Sequence, residues 1–261
     1  MLDYTLHDSP GAPHRIVLIH SLALDRSIWD GVVTAIGGQA SVLAYDCRGH
    51  GRSSRSCSER FTPELFARDR AELLDHVGWP SAVIAGCSMG GNVAQAFGGI
   101  YPSRALALGL IDTTAFYGED APVVWRERAE AARSKGLASM IPFQTARWFS
   151  DAFPASHSDL IARLNAVFLG NDLDCYAAAC DLLGHADLRP YLKSLTMPVT
   201  IIVGEEDFAT PVAASEHLHA AIPGSTLHIL KGRHLTPIEC PSEVASHLLE
   251  VARRAQAQAG R

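Results

Sequence analysis

The sequence predicts an α/β fold: a mostly parallel sheet with helices on both faces and a helical segment inserted near the middle of the chain. Three observations carry this. Short unbroken apolar runs, as at 16–19, 83–86 and 199–203, fit strands buried on both faces. These runs alternate with stretches of helical periodicity, which implies parallel strands joined by right-handed crossovers. Between 113 and 185 the strand pattern lapses and only helical segments are legible. The chain therefore divides into a core of residues 1–112 and 186–261 and a helical cap of residues 113–185. A length of 261 residues suits one such domain with an insertion.

A short strand is expected around 2–7, followed by a turn at Ser9-Pro10-Gly11. The run 16–19 leads into the small-residue turn His20-Ser21-Leu22-Ala23. A short helix starts at Ser27-Ile28-Trp29 and keeps Val32, Val33 and Ile36 on one face. Strand 41–45 ends in a loop dense in glycine and charge, Asp46-Cys47-Arg48-Gly49-His50-Gly51-Arg52-Ser53. Thr62 caps the next helix with Pro63 in its first turn; Phe66, Leu73, Leu74 and Val77 form its apolar stripe, and Gly78 and Pro80 stop it. Strand 83–86, a helix from Asn92 and strand 105–111 follow. In the cap, 125–133 and 159–167 are the clearest helices, with Pro142, Pro154 and the Gly170-Asn171-Asp172 turn breaking up the rest. Strands at 199–203 and 226–230 enclose a helix at 212–222, and a helix at 242–255 closes the chain, with 256–261 expected to fray.

Composition excludes several classes. Apolar content of 48% and charged content of 19% are those of a globular protein, not a disordered one. A net charge of −6 offers no basic surface for nucleic acid and no polybasic membrane anchor. The six cysteines form no C-x-x-C pair and read as reduced thiols in a cytoplasmic protein. The first residues carry no basic segment followed by an apolar run, so no signal peptide is expected, and no stretch is long enough to span a bilayer. No metal or cofactor is expected. The sequence carries no mark for or against a homo-oligomer.

Chemistry concentrates at Gly86-Cys87-Ser88-Met89-Gly90, a G-x-S-x-G motif between a strand and a helix. There a serine stands on a tight turn, glycines on either side avoid collision, and the following helix aims free N–H groups back at the turn. A serine hydroxyl needs a base, and the base needs an acid to fix its tautomer. Both should follow Ser88 in the order acid then histidine, on strand-end loops. Asp207, after strand 199–203, and His234, after strand 226–230, have those addresses. Glu206 and Asp112 are rivals for the acid, and Asp207 can also be read as a turn or capping carboxylate. The other histidines are worse placed: His217 and His219 lie two apart on a helix and His228 within a strand. Two backbone donors should hold an oxyanion, the N–H of Met89 and one from the loop after strand 16–19, best Leu22.

These motifs together, with the Gly204–Asp207 and Gly232–His234 loops, resemble the α/β-hydrolase superfamily over nearly the whole chain. Within it the chain is most similar to 3-oxoadipate enol-lactonases. The features are His20-Ser21-Leu22-Ala23-Leu24-Asp25 with Trp29, Arg147-Trp148-Phe149, Ala209-Thr210-Pro211, and His234-Leu235 followed by Ile238-Glu239-Cys240-Pro241. That family often has asparagine in place of His20, and its wording around 113–118 differs. The resemblance implies a cofactor-free serine hydrolase opening a small lactone or ester through an acyl-enzyme, in the degradation of aromatic rings. It implies a substrate carboxylate for Arg147 to bind, unless that arginine pairs with Asp151 instead; Trp148 either lines the pocket or holds the cap to the core. Asp46, Arg48 and His50 read as structural, and Cys87 as a small buried filler. Alternatives are an esterase or perhydrolase, a carbon–carbon bond hydrolase of meta-cleavage products, and a non-catalytic binding protein on the same fold. Ser88 argues against the carboxylate nucleophile of epoxide hydrolases and haloalkane dehalogenases.

Overall fold

A computed structural model describes residues 2–259. Strands β1 (Tyr4–His7), β2 (His14–Ile19), β3 (Ala40–Tyr45), β4 (Ala82–Cys87), β5 (Ala105–Ile111), β6 (Val199–Gly204) and β7 (Thr226–Leu230) form one sheet in the order β1-β3-β2-β4-β5-β6-β7. β1 runs antiparallel to β3, and every other pair is parallel. The α/β architecture read from the apolar runs is the one observed. Every residue of β3, β4 and β6 is buried, as strands covered on both faces require. β7, at the edge, is only half-buried.

The helices of the first half are α1 (Asp30–Ile36), α2 (Pro63–His76) and α3 (Met89–Ile100). Between β5 and β6 come α4 (Ala121–Lys135), α5 (Ile141–Trp148), α6 (Phe153–Ser156), α7 (Ser158–Leu169), α8 (Leu173–His185) and α9 (Arg189–Leu192). After β6 come α10 (Val212–Ala221), α11 (Thr236–Glu239) and α12 (Pro241–Ala259). α12 packs on α1, β5 and β6, while α3 packs on β2, β4 and β5 and also against α2.

Local chemistry explains most boundaries. Thr62 accepts the Leu65 N–H and caps α2 as expected, with Pro63 in its first turn. Pro142 and Pro154 do not interrupt a helix, as their place in the sequence suggests. They start α5 and α6 from first-turn positions, where a missing N–H costs nothing. α8 is not individually legible in the sequence. Asp172 caps it by accepting the Asp174 and Cys175 N–H groups, so the Gly170–Asp172 turn is a helix start as much as a break. Residues 256–259 continue α12 instead of fraying, and 260–261 lie outside the described residues. Among the described residues, no helix is long and apolar enough to cross a membrane.

Candidate active site

Ser88 stands between β4 and α3 with φ +55° and ψ −115°, a strained conformation for a residue with a Cβ. The turn is held by the Ser88 N–H on the Ile111 carbonyl at 2.9 Å and by Thr113 Oγ1 donating to the Ser88 carbonyl at 2.8 Å. The flanking glycines are required sterically. A Cβ on Gly86 would strike the Gly90 carbonyl, and one on Gly90 would strike the carbonyls of Ile19 and His20, all well inside contact distance. The second collision shows how closely the start of α3 lies against the end of β2.

The structure brings Ser88, His234 and Asp207 together from three strand-end loops. Ser88 Oγ lies 2.9 Å from His234 Nε2, and His234 Nδ1 lies 2.8 Å from Asp207 Oδ2. All three are buried, with Ser88 keeping 6% of its surface open. Asp207 is an acceptor only, so His234 carries its proton on Nδ1 and offers the Nε2 lone pair to the serine hydroxyl. Asp207 Oδ1 accepts the Ala209 and Thr210 N–H groups at 2.7 and 3.0 Å, and Oδ2 accepts the Thr210 hydroxyl at 2.8 Å. Burial alone would raise the Asp207 carboxyl. The His234 ring and the Thr210 donors outweigh it and hold the carboxyl below its usual range, so it stays ionised. The reading of Asp207 as a turn carboxylate is also fulfilled, by its other oxygen.

The two rival acids have other work. Glu206 reaches outward to Arg233 Nη2 at 2.8 Å. Asp112, fully buried at the end of β5 with φ +46°, accepts the Gly204 N–H at 3.1 Å, the Thr236 N–H at 2.9 Å and the Thr236 hydroxyl at 2.7 Å. It therefore ties the acid-bearing loop to the histidine-bearing loop. Burial, then the neighbouring Asp207 charge, raises its carboxyl well above the ordinary range. Cys87 is fully buried, and burial raises its thiol well above the ordinary range, as a filler requires. Arg48 grips Asp69 through two nitrogens, and Asp46 accepts from Arg26 and the Arg52 N–H; both serve the loop after β3.

Leu22 and Met89 lie at the same end of the sheet, and neither N–H has an acceptor among the described residues. The Leu22 loop is pinned by His20. Its Nε2 accepts the Cys47 N–H at 2.8 Å, so its Nδ1 carries the proton and donates to the Ser21 carbonyl at 2.7 Å. Burial lowers His20 from its ordinary value and keeps it neutral. The histidine that departs from the resembled family thus fastens the loop of one candidate oxyanion donor to the loop after β3.

Arg147 and Trp148 part company. Arg147 lines a cavity of about 610 Å³ together with Tyr117, Trp125, Arg128, Phe143 and Ala209. It has no acidic partner within 4.0 Å among the described residues, because Asp151 pairs with Arg233 instead, at 3.1 Å. Burial, then the charge of Arg128, lowers the Arg147 guanidinium to about 10. Trp148 is not among the residues lining this cavity, and its packing fits the second of its two readings, holding these helices to the core. Its ring is 2% exposed and packs edge-on against Phe149 and Phe168, and its carbonyl accepts the Leu235 N–H at 3.1 Å. Two residues of this site escape a reading of the sequence. Tyr117 donates to Asn92 Oδ1 at 3.1 Å; burial raises its phenol, while Arg147 and the Ser88 hydroxyl draw it back from close by. Arg128 shares the cavity with Arg147, and its one sequence signal is a charge three residues after Trp125 on an alanine-rich helix. Among the described residues, no group of three histidine, cysteine or acidic side chains could hold a metal ion.

The profile of a family described as alpha/beta hydrolase fold matches residues 14–241. A 3-oxoadipate enol-lactonase of Acinetobacter baylyi is 30% identical over 235 residues, 90% of this chain and 86% of that protein. Among solved structures, the enol-lactonase of Burkholderia xenovorans LB400 is similar with a TM-score of 0.90 and 30% identity, over 96% of this chain and 95% of that one. A thermophilic esterase from Thermogutta terrifontis, solved with malate bound, is similar with a TM-score of 0.89 and 28% identity, over 97% of this chain and 93% of that one.

Proposed function

We propose that this chain, which belongs to the α/β-hydrolase family, is a serine hydrolase that opens a small lactone or ester through an acyl-enzyme, with carboxylated enol-lactones as the favoured class. Ser88 Oγ attacks the acyl carbon as His234 Nε2 takes its proton. The imidazolium that forms is stabilised by Asp207, and the oxyanion by the N–H groups of Leu22 and Met89. On collapse the carbon–oxygen bond breaks, and the leaving oxygen departs with the electron pair and accepts the proton from His234. An enol leaves more readily than an alkoxide, so little acid catalysis is needed. His234 then takes a proton from water as the hydroxide attacks the ester to Ser88; the bond to Ser88 Oγ breaks, Oγ takes the proton back from His234, and the acid is released. Residues 113–185 act as a cap, and Arg147 within it holds a substrate carboxylate.

The reading rests on the line from Ser88 through His234 to Asp207, with spacings of 2.9 and 2.8 Å in a buried setting. The substrate class is supported by the enol-lactonase relatives and by the esterase solved with malate, a carboxylate-bearing molecule. Ser88→Ala is expected to abolish turnover of 3-oxoadipate enol-lactone and labelling by a fluorophosphonate. A Ser88→Ala protein as active as the parent overturns the mechanism. A parent that is labelled at Ser88 and cleaves aryl esters but ignores the lactone overturns only the substrate class.

A further inference from the structure

The cavity that Arg147 lines, bounded on one side by Tyr117 and by Ala209 two residues after Asp207, holds one more cation than the proposed substrate uses. Arg128, on α4, is anchored by neutral groups alone: its Nε donates to the Tyr176 hydroxyl at 2.9 Å and its Nη2 to Gln144 Oε1 at 2.7 Å. The guanidinium lies over the Trp125 ring at 4.9 Å and near that of Phe143 at 5.7 Å. Neither Arg128 nor Arg147 has a carboxylate within 4.0 Å among the described residues. Glu119 and Asp120 also border the cavity, but both are exposed at its rim, as is Lys135. None of the Arg147 nitrogens is sealed from open space without a partner, unlike all three of the fully buried Arg70.

Two guanidiniums in one aromatic-walled cavity repel each other, and burying such charges without a counter-ion is costly. One carboxylate offsets only one of them. The volume, about 610 Å³, is also in the range that holds drug-sized ligands, well beyond a small lactone with a single carboxylate. Fixed in place by Tyr176 and Gln144, Arg128 is already oriented to receive an anion, so binding costs it little freedom.

We infer that Arg128 forms a second carboxylate subsite beyond that of Arg147, so that the preferred substrate is a lactone or ester bearing two ionised carboxylates in addition to the acyl group attacked. This rests on the serine-hydrolase reading and on the assignment of the first carboxylate to Arg147. In chemical terms, an upstream reaction must deliver a polycarboxylated ring or ester, and the product is a tricarboxylate.

The test uses p-nitrophenyl esters of rising charge: the acetate, the mono-ester of succinate and a mono-ester of tricarballylate. We expect kcat/KM to rise at each added carboxylate. Arg128→Gln should collapse the tricarballylate-to-succinate ratio by about 10- to 100-fold, the loss of one charge-assisted contact, and Arg128→Lys should keep part of it. Equal kcat/KM for the two charged esters overturns the inference. So does an Arg128→Gln loss that falls equally on both, which would mean one carboxylate shared by the two arginines. Calorimetry on Ser88→Ala protein gives a readout free of catalysis. Tricarballylate should bind more tightly than glutarate, and Arg128→Gln should erase the difference; no preference for tricarballylate overturns the subsite even if turnover fails for other reasons. An inert, unlabelled Ser88 with tricarballylate still preferred would instead sink the hydrolase reading and leave the anion site standing.

Discussion

Asp207→Asn is expected to disable His234 through its tautomer, with little change of shape. In the parent, Asp207 Oδ1 accepts two backbone N–H groups, from Ala209 at 2.7 Å and Thr210 at 3.0 Å. An asparagine at 207 must place its carbonyl oxygen there, because an amide NH₂ facing two N–H donors would leave all of them unpaired. The NH₂ is thereby forced into the position of Oδ2, 2.8 Å from His234 Nδ1. It can only donate, so Nδ1 must become the acceptor and the ring proton must move to Nε2. Nε2–H then faces Ser88 Oγ across 2.9 Å and has no lone pair with which to take the serine proton. In a serine protease the same change in the triad lowers kcat about 10⁴-fold, which is roughly 5 kcal/mol of barrier. The assay is kcat/KM on an aryl ester, paired with nitrogen-15 NMR of the imidazole, which should show the proton on Nδ1 in the parent and on Nε2 in the variant. A variant within tenfold of the parent, or one with an unchanged tautomer, would refute the reasoning.

Two further outcomes follow from the geometry. Gly90→Ala drives a Cβ into the carbonyls of Ile19 and His20, which are backbone and cannot swing away; a loss at or above about 3 kcal/mol is expected in denaturant melts, and a change under about 1 kcal/mol would contradict the packing. His50 is fully buried with an unpartnered Nε2, and burial pulls it from 6.5 down to about 3. The unfolded chain takes a proton below 6.5 that the folded protein refuses, so its share of stability is complete above that pH and drains away as pH falls toward 3. Between pH 6.5 and about 4.5 this amounts to about 2–3 kcal/mol. His50→Phe should flatten that part of the Tm-versus-pH curve, and curves that stay parallel would show that another group controls the slope.

The core is legible in the sequence because its physics is local. A strand buried on both faces has to be an unbroken apolar run, so β2, β4, β5 and β6 announce themselves. The order Ser88, Asp207, His234 is legible because each follows such a run. The choice of Asp207 over Asp112 is less so. Both end apolar strands, and only the three-dimensional course of the loops turns one toward the imidazole and sets the other to bracing Gly204 and Thr236. Residues 113–185 are the least legible. Short helices started by proline have little periodicity to display, α8 behind its aspartate cap shows no clear stripe, and a residue such as Tyr117 reaches Asn92 and the neighbourhood of Ser88 from a loop that no pattern marks.

The helices between β5 and β6 are not fastened to the rest of the molecule at random points. One set of their ties, at the end of α5, runs to the loop that carries His234, beside others such as Asn171 Nδ2 on the Ala23 carbonyl and Arg60 on Asp181. Glu239 accepts the Arg233 N–H at 2.7 Å and, on the same carboxylate, the N–H and hydroxyl of Ser150. Arg233 Nη1 donates to the Ala146 carbonyl at 2.8 Å and to Asp151 at 3.1 Å, and the Leu235 N–H donates to the Trp148 carbonyl at 3.1 Å. The residues on both sides of His234 are therefore tied to the end of α5 and the turn after it, and Arg147 lies within that same stretch. Any displacement of residues 141–151 relative to the His234 loop breaks these hydrogen bonds, whereas moving the two together strains the Thr236–Asp112 bonds that hold the same loop to the end of β5.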